Sequence, residues 1–310
     1  MRHLLSILCI TGLFICMLLF PKNTFQGASS GLILWFNTVL PTLLPFIILS
    51  NLLIRTGAID LIARVTSPVL CRLFRVSPYG SFAVLIGFLC GCPMGGKITA
   101  DLLNMNYISE EEGRYLLSFC NNTSPMFIIS YIIWQNLNRS AMTLPLLSIT
   151  LSTPVLLSFI FRFLYRIPKD ISRHSRPYSP AHSQALAGAL DTCIMNGFET
   201  ITRIGGYIIL FSICICLIGQ LPVRIPLLKS LILPSLELTN GVTLICQSSL
   251  PASATILQTL TLAAFGGWCA AAQTKSMIRD TSLPFFPYIA EKLATASVTS
   301  LLIYGYLLLC

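Results

Sequence analysis

The order of apolar and polar positions along the chain is typical of a protein built from membrane-embedded helices. Continuous apolar runs cover residues 4–20, 31–54 and 140–161, and polar residues collect in shorter stretches between such runs. A helix of about 20 apolar residues spans the hydrocarbon core of a bilayer. The runs lack the alternation with a period of two that barrel strands show. The pattern predicts an all-α polytopic integral membrane protein with roughly eight membrane-embedded segments.

A second pattern is superimposed on the apolar runs, because several are interrupted by clusters of polar residues and glycine. The interrupted segments come as two pairs, one in each half of the chain: GFLCGCPMGGK (87–97), CNNTSP (120–125), LELTNG (236–241) and GGWCAAAQTK (266–275). Corresponding interruptions in two halves are typical of transporters with inverted repeats, whose solute site lies near the bilayer midplane. The chain is therefore predicted to contain two half-repeats with broken or re-entrant helices.

The basic, proline-bearing stretch 162–184 is the clearest boundary between these halves. Basic loops of this kind lie on the cytoplasmic side of membrane proteins. The second half opens with an amphipathic segment at 186–201, predicted to lie on the membrane surface or to dock on the bundle, and an apolar run follows at 204–218. The predicted organisation is an N-terminal anchor helix (1–30), a first half (31–161), a cytoplasmic linker (162–184) and a second half (185–310).

Composition agrees with a membrane protein and excludes a nucleic-acid-binding function. Of the 310 residues, 55% are hydrophobic and 10% are charged, whereas about 25% are charged in soluble domains. The net charge of +9 comes from basic residues in the stretches between apolar runs, where the positive-inside rule expects them. The lipid bilayer is therefore an expected partner, and nucleic acid is not.

The first interrupted segment contains glycines and a proline in the middle of an apolar run. Proline removes a backbone donor and disrupts the preceding turn, and glycine lets the backbone bend. One interpretation is a re-entrant tip whose N–H groups face a ligand; the other is a kinked helix that packs through its glycines. The candidate solute-binding residues are Gly91, Pro93, Gly95 and Gly96.

Lys97 follows this tip, and Asp101 lies four residues further along the same helix face. The two side chains can form an ion pair. Alternatively, Lys97 lies at the mouth of a cavity and attracts an anion. The sequence leaves both interpretations open, and Lys97 is included among the candidate solute-binding residues.

The second interrupted segment supplies uncharged hydrogen-bonding groups. Asn121, Asn122, Thr123 and Ser124 follow one another in a stretch without charge. Such side chains suit a small polar solute, and they also form hydrogen bonds between membrane helices. We include all four as candidate solute-binding residues.

Glu237 is the only charged residue between Ser230 and Thr274. A carboxylate inside the membrane is costly without a partner, which makes it a functional candidate. It could bind a coupling cation, relay a proton or accept hydrogen bonds from a solute; alternatively, it is a structural partner of Lys97 or of N–H groups at a helix start. Further candidates for the same cavity are Thr239, Asn240, Gly241 and Gln273.

No complete enzymatic constellation occurs in the sequence. HExxH and P-loop patterns are absent, and the three histidines lie outside the apolar runs. We therefore expect no enzymatic activity, no catalytic residue, no metal site and no cofactor, apart from a coupling cation or proton near Glu237.

Three blocks resemble the sporulation integral membrane protein family of YlbJ type, which belongs to the nucleoside-recognition (Gate) domain superfamily. They are GFLCGCPMGGKITADLL (87–103), ISEEEGRYLLSFCNNTSPMFII (108–129) and LELTNG (236–241). Cys90 and Cys92 replace the serine and tyrosine of the usual SGYPVG motif, and Gly-Gly-Lys replaces Gly-Ala-Lys. The missing tyrosine hydroxyl leaves the identity of the substrate open.

This resemblance implies two Gate-like half-repeats and a function in endospore formation, in a bacterial cell membrane that surrounds the forespore. It also implies transport of a small anionic solute, with dipicolinate as the candidate at the level of the family. The alternatives are a nucleoside-type transporter and a non-transporting assembly factor of the spore envelope. A second copy of the chain and other sporulation membrane proteins are candidate partners.

Overall fold

The computed structural model describes residues 2–167, 186–220 and 228–309, and this part of the chain consists of helices and loops without a β-strand. The all-α prediction is therefore confirmed. The helices are α1 (Arg2–Leu19), α2 (Pro21–Leu34), α3 (Leu40–Arg55), α4 (Ile59–Phe74), α5 (Pro78–Cys90), α6 (Met94–Asn104), α7 (Glu110–Cys120), α8 (Thr143–Leu164), α9 (Leu186–Gly219), α10 (Leu233–Leu236), α11 (Leu238–Cys246), α12 (Ala252–Phe265), α13 (Gly267–Met277) and α14 (Phe285–Leu309). Shorter π-helical or 3₁₀ segments are Trp35–Val39, Phe127–Asn136, Ser140–Met142 and Leu228–Ile232.

Five helical segments in the described part of the chain are long and apolar enough to cross a membrane. They are Pro21–Arg55, Ser140–Leu164, Gly188–Gly219, Ala252–Met277 and Phe285–Leu309. A sixth is formed by α4 and α5 if this pair, bent by 88°, counts as one span. The polytopic architecture is confirmed, while the total of eight embedded segments stays a prediction because the broken helices are too short to cross alone.

The bend between α4 and α5 is fixed by buried polar groups. Ser77 caps α5, and its hydroxyl accepts the N–H of Gly80 at 3.0 Å. The backbone N–H of Ser77 donates to the carboxylate of Glu112 at 2.6 Å. Burial raises the pKa of Glu112 to about 7, although the bond from Ser77 opposes this shift. Glu112 therefore ties the start of α5 to α7.

This contact replaces half of the capping box that Ser109 and Glu112, three residues apart, would otherwise form at the start of α7. Ser109 caps the helix, because its hydroxyl accepts the N–H of Glu112 at 3.2 Å. In a complete box the carboxylate would return to the backbone of Ser109. Instead it serves Ser77 on another element, which sequence spacing does not reveal.

The N-terminal part of the chain packs against the second half. Gly27 and Gly31 let α2 lie directly on α9, since a Cβ on either glycine would come within 2.8 Å of an α9 Cα atom. The indole N–H of Trp35 donates to the carbonyl of Ile201 at 2.9 Å. The predicted boundary at residue 30 falls inside α2, so the anchor and the first half are joined by a continuous helix.

The segments on either side of the predicted linker are helical. The amphipathic segment 186–201 and the apolar run 204–218 form one helix, α9, that packs along α2 and α3. Helix propagation through Arg203 is supported by its i,i+4 ion pair with Glu199 at 2.7 Å. Arg162 belongs to the last turn of α8, and residues 168–184 of the linker lie outside the described residues.

Candidate functional site

The first two interrupted segments cross each other in close contact. One interruption, Gly91–Pro93, separates α5 from α6, and the other, Asn121–Ser124, follows α7. The backbone N–H of Cys92 donates to the carbonyl of Asn122 at 2.6 Å. Backbone groups released by the two interruptions thus bond to each other, which is required where no water is available. Residues 91–93 and 121–124 are called the first crossing.

Glycines allow the two backbones of the first crossing to touch. Gly91 has a φ of +82°, and a Cβ there would lie 2.6 Å from the backbone nitrogen of Ser124. A Cβ on Gly87 or Gly95 would lie 2.3 or 2.5 Å from the carbonyl oxygen of Cys120. Close packing through glycine is therefore observed, while a re-entrant tip whose N–H groups face a ligand stays a prediction.

The third and fourth interrupted segments form a second contact of the same kind. Glu237 separates α10 from α11, and Gly266 separates α12 from α13. Gly267 has a φ of +84°, and a Cβ on it would lie 3.2 Å from the carbonyl oxygen of Ser235. Residues 235–238 and 266–267 are called the second crossing. Each predicted interruption is thus paired with the other interruption of its own half.

The carboxylate of Glu237 acts as the cap of α11. It accepts the backbone N–H of Thr239 at 3.0 Å and that of Asn240 at 2.8 Å, and the side-chain amide of Asn240 donates to it at 2.8 Å. Gly241 follows in the first turn, where a Cβ would lie 2.0 Å from the carbonyl oxygen of Pro234. Of the roles left open by the sequence, the structure supports the partner of N–H groups at a helix start.

The other candidates near the second crossing face α9. The side-chain amide of Asn240 also donates to the hydroxyl of Ser212 at 3.0 Å. The amide of Gln273 lies 3.5 Å from the carbonyl oxygen of Ile204. These contacts attach the second crossing to α9 and do not bring its polar side chains to the first crossing.

Lys97 pairs with Asp101. The ammonium lies 2.5 Å from a carboxylate oxygen of Asp101, with side-chain exposures of 12% and 26%. A weaker contact of 3.5 Å reaches the side-chain oxygen of Asn51. The ion-pair interpretation is therefore confirmed, and the partnership of Glu237 with Lys97 is wrong. The pair contributes no net charge.

Polar side chains of the first crossing meet α12, α13 and α14. The amide of Asn121 donates to the hydroxyls of Thr274 at 2.8 Å and Tyr288 at 2.9 Å. The hydroxyl of Thr123 donates to the carbonyl of Ala263 at 2.6 Å. Each of these bonds joins the first half of the chain to the second, so the meeting point is an interface between the halves.

Lys292 of α14 completes this meeting point. Its ammonium donates to the carbonyl oxygen of Asn121 at 3.1 Å and to the side-chain oxygen of Asn122 at 3.3 Å. Lys292 is 3% exposed. The thiol of Cys92 lies 3.6 Å from the hydroxyl of Thr274. We call this set the central cluster: Cys92, Asn121, Asn122, Thr274, Tyr288 and Lys292.

The remaining candidates of the first half surround this cluster. The backbone N–H of Gly96 donates to the side-chain oxygen of Asn121 at 3.2 Å. A Cβ on Gly96 would lie 3.1 Å from the methyl group of Thr274, so α6 and α13 approach closely there. Ser124 faces the next helical segment, where its hydroxyl accepts the N–H of Phe127 at 3.3 Å.

The site prediction from the sequence missed four members of the central cluster: Cys92, Thr274, Tyr288 and Lys292. A usable signal was present for Lys292, because Glu291 and Lys292 are the only charged residues in the 25 residues of α14. Ionisable residues inside an apolar helix are functional candidates by default. Thr274 and Tyr288 carried no such signal, since isolated hydroxyls are common in membrane helices.

The fold and the paired crossings define the class: an all-α polytopic integral membrane protein with broken helices and a buried polar centre. The chain is 26% identical over 309 aligned residues to the sporulation integral membrane protein YlbJ of Bacillus subtilis (strain 168), covering 88% of this chain and 75% of that relative. This similarity confirms the resemblance to the YlbJ family. No family model matches the chain, and no solved structure matches it. Membership of the Gate superfamily stays a prediction.

Proposed function

We propose that this membrane protein transports a small anionic solute during sporulation, in a membrane around the forespore. One observation carries the proposal: two crossings of interrupted helices lie in the same bundle, and the first forms a buried polar cluster with helices of the other half. Interrupted helices that present polar groups near the bilayer midplane are the usual construction of solute sites in secondary transporters.

The hydrogen bonds between the halves support a transport cycle in which the halves part and close again. Asn121 and Thr123 hold the halves together through neutral hydrogen bonds to Thr274, Tyr288 and Ala263. Neutral bonds of this kind contribute modestly, about 0.6 kcal/mol on average between membrane helices. The observed arrangement therefore corresponds to a closed centre, and breaking a few bonds would admit a solute.

Dipicolinate is the proposed solute at the level of the family. It is a small, planar dianion whose carboxylates accept hydrogen bonds from amide, hydroxyl and ammonium groups. The central cluster offers these three kinds of donor. A coupling cation or proton near Glu237 stays a prediction, and the observed cap of α11 accounts for this carboxylate without either.

The test is uptake of radiolabelled dipicolinate by proteoliposomes that contain the purified chain. We expect accumulation above protein-free vesicles, and at least a tenfold lower rate for Asn121→Ala at equal amounts of folded protein. Asn196→Ala, an amide substitution on α9 away from the central cluster, is the matched control and should transport normally.

The same experiment separates the two alternatives. If nucleosides are accumulated and compete fully while dipicolinate is not taken up, the chain is a nucleoside-type transporter. If neither solute enters although the protein is folded and monodisperse, transport is refuted and an assembly function in the spore envelope is favoured.

A further inference from the structure

The structure assigns to Lys292 a role that rests on the proposed transport function and makes it more specific. We propose that Lys292 is the anion-binding residue of the central cluster and sets the preference for negatively charged solutes. The ligand class is a small carboxylate, one oxygen of which is bound by the ammonium and the others by neighbouring amide and hydroxyl groups.

Lys292 has no acidic side chain within ion-pair distance among the described residues. In the described part of the chain, three ion pairs lie within 4.0 Å, namely Lys97–Asp101, Arg114–Glu110 and Arg203–Glu199, and none includes Lys292. Its acceptors are the neutral oxygens of Asn121 and Asn122. Lys292 is therefore a buried cationic group without an acidic partner among the described residues.

The neighbouring carboxylate does not neutralise Lys292. Glu291 precedes it on α14, and its carboxylate accepts a hydrogen bond from the hydroxyl of Tyr165 beyond the end of α8. Adjacent residues of a helix point about 100° apart. Glu291 thus serves the contact between α14 and α8, while Lys292 faces the first crossing.

Uncharged hydrogen-bonding groups lie near the ammonium of Lys292. Hydrogen bonds to Asn121 and Asn122 use two of its three N–H donors. Tyr288, Thr274 and Cys92 lie around the side chain of Asn121 and carry O–H or S–H groups. One cation among neutral donors is the arrangement that accepts a carboxylate, because an isolated buried charge is costly until a counter-charge arrives.

An anion-binding role for Lys292 and a purely structural role require different properties of the side chain. A residue needed only to satisfy the carbonyl of Asn121 would require N–H donors, which a glutamine also supplies. A residue that binds an anion needs its positive charge. Lys292→Gln therefore removes the charge while retaining a donor.

The experiment measures binding of two probes to the purified full-length chain in nanodiscs: dipicolinate and its uncharged diamide, pyridine-2,6-dicarboxamide. We expect wild type to prefer the diacid at least tenfold, and Lys292→Gln to lose that preference while still binding the diamide. Arg203→Gln removes an equal charge at an exposed position of α9 and should keep the wild-type preference.

A second variant keeps Lys292 and neutralises its charge with an added carboxylate. Asn122→Asp places a carboxylate beside the ammonium, and it should also abolish the preference for the diacid. This variant covers the case in which Lys292→Gln does not fold.

The outcomes distinguish the two levels of the proposal. If wild type binds the diacid and both variants retain its preference, Lys292 does not set charge selectivity and the inference is overturned, while transport of anions stands. If wild type binds neither probe and transports no dipicolinate, the proposed function itself fails and the inference fails with it.

Discussion

At both crossings a helix is interrupted beside another interrupted helix, and glycines let the backbones touch. The two crossings differ in the partners of their charged side chain. At the second crossing the carboxylate of Glu237 accepts hydrogen bonds from backbone N–H groups of α11 and from the side-chain amide of Asn240. At the first crossing the charged group, Lys292, comes from a distant helix and meets only neutral acceptors. A charge satisfied locally stabilises the helix it caps, whereas a buried charge without a counter-charge is available to a ligand.

This difference teaches that a lone charge in a membrane segment has to be judged by its partners. Glu237 is the conspicuous charge in the sequence, yet the nearby helix start accounts for its carboxylate. Lys292 is less conspicuous because Glu291 stands beside it and suggests an ion pair. In the structure, the two side chains serve different neighbours.

The largest expected effect comes from adding a methyl group where the backbones touch. Gly87→Ala would place a Cβ 2.3 Å from the carbonyl oxygen of Cys120, beside the first crossing, and Gly241→Ala would place one 2.0 Å from that of Pro234, beside the second. Backbone cannot yield as a side chain does, so we expect a loss of about 3 kcal/mol or more. The readout is the yield of monodisperse protein after detergent extraction.

Gly206→Ala is the control, because nothing lies within 4 Å of a Cβ at this position. It should leave the yield unchanged or raise it slightly, since alanine favours the helix over glycine. If Gly87→Ala or Gly241→Ala behaves like this control, the corresponding crossing does not have the described geometry.

The next largest effect is a pH dependence of stability, contributed by Glu112, which ties the start of α5 to α7. Its pKa is raised from 4.5 to about 7 in the folded protein, mainly by burial. A raised pKa means that the contribution to stability is complete below pH 4.5 and is lost as the pH rises through 7. We expect the melting temperature of wild type to fall across this range more steeply than that of Glu112→Gln. Equal slopes would contradict the raised pKa.

A smaller effect is expected when the cap of the second crossing is removed. Glu237→Ala should cost about 1 kcal/mol, the usual contribution of a helix cap. Glu237→Asp should retain part of this stability because a shorter carboxylate still accepts N–H groups. Melting temperatures in a single detergent measure both. No loss in Glu237→Ala would mean that the carboxylate does not stabilise α11.

The smallest effect concerns the ion pair that flanks the first crossing. Lys97→Met and Asp101→Asn should each change stability by about 0.5 kcal/mol, because partly exposed pairs of this spacing contribute little. Dipicolinate uptake should stay within twofold of wild type, since the pair carries no net charge. A tenfold loss in Lys97→Met alone would return Lys97 to the solute site.

The sequence was sufficient to predict the all-α membrane class and the positions of the helix interruptions. Apolar length identifies spans, and Pro93 with the surrounding glycines identifies a break, because both follow from local backbone chemistry. The spacing of Lys97 and Asp101 predicted their ion pair as one of two interpretations, and the structure contains the pair.

The contacts between distant segments could not be predicted in this way. Nothing in the sequence states that Glu112 reaches Ser77, or that Lys292 reaches Asn121, because both contacts depend on how helices pack. For the same reason the central cluster combines predicted residues of the first half with Thr274, Tyr288 and Lys292, which the sequence did not single out. The sequence pattern predicts the amphipathic segment before residue 204 as a separate element, because polar positions lie among its apolar ones. In the structure it belongs to one continuous helix, α9.

Initial uptake of dipicolinate by proteoliposomes containing wild type, Lys292→Gln or Glu237→Gln, normalised to folded protein, tests most directly which crossing binds the solute. We predict at least a tenfold lower rate for Lys292→Gln and a rate within about twofold of wild type for Glu237→Gln; a tenfold difference corresponds to about 1.4 kcal/mol. The opposite result, with Glu237→Gln inactive and Lys292→Gln near wild type, would contradict the assignment of the solute to the first crossing.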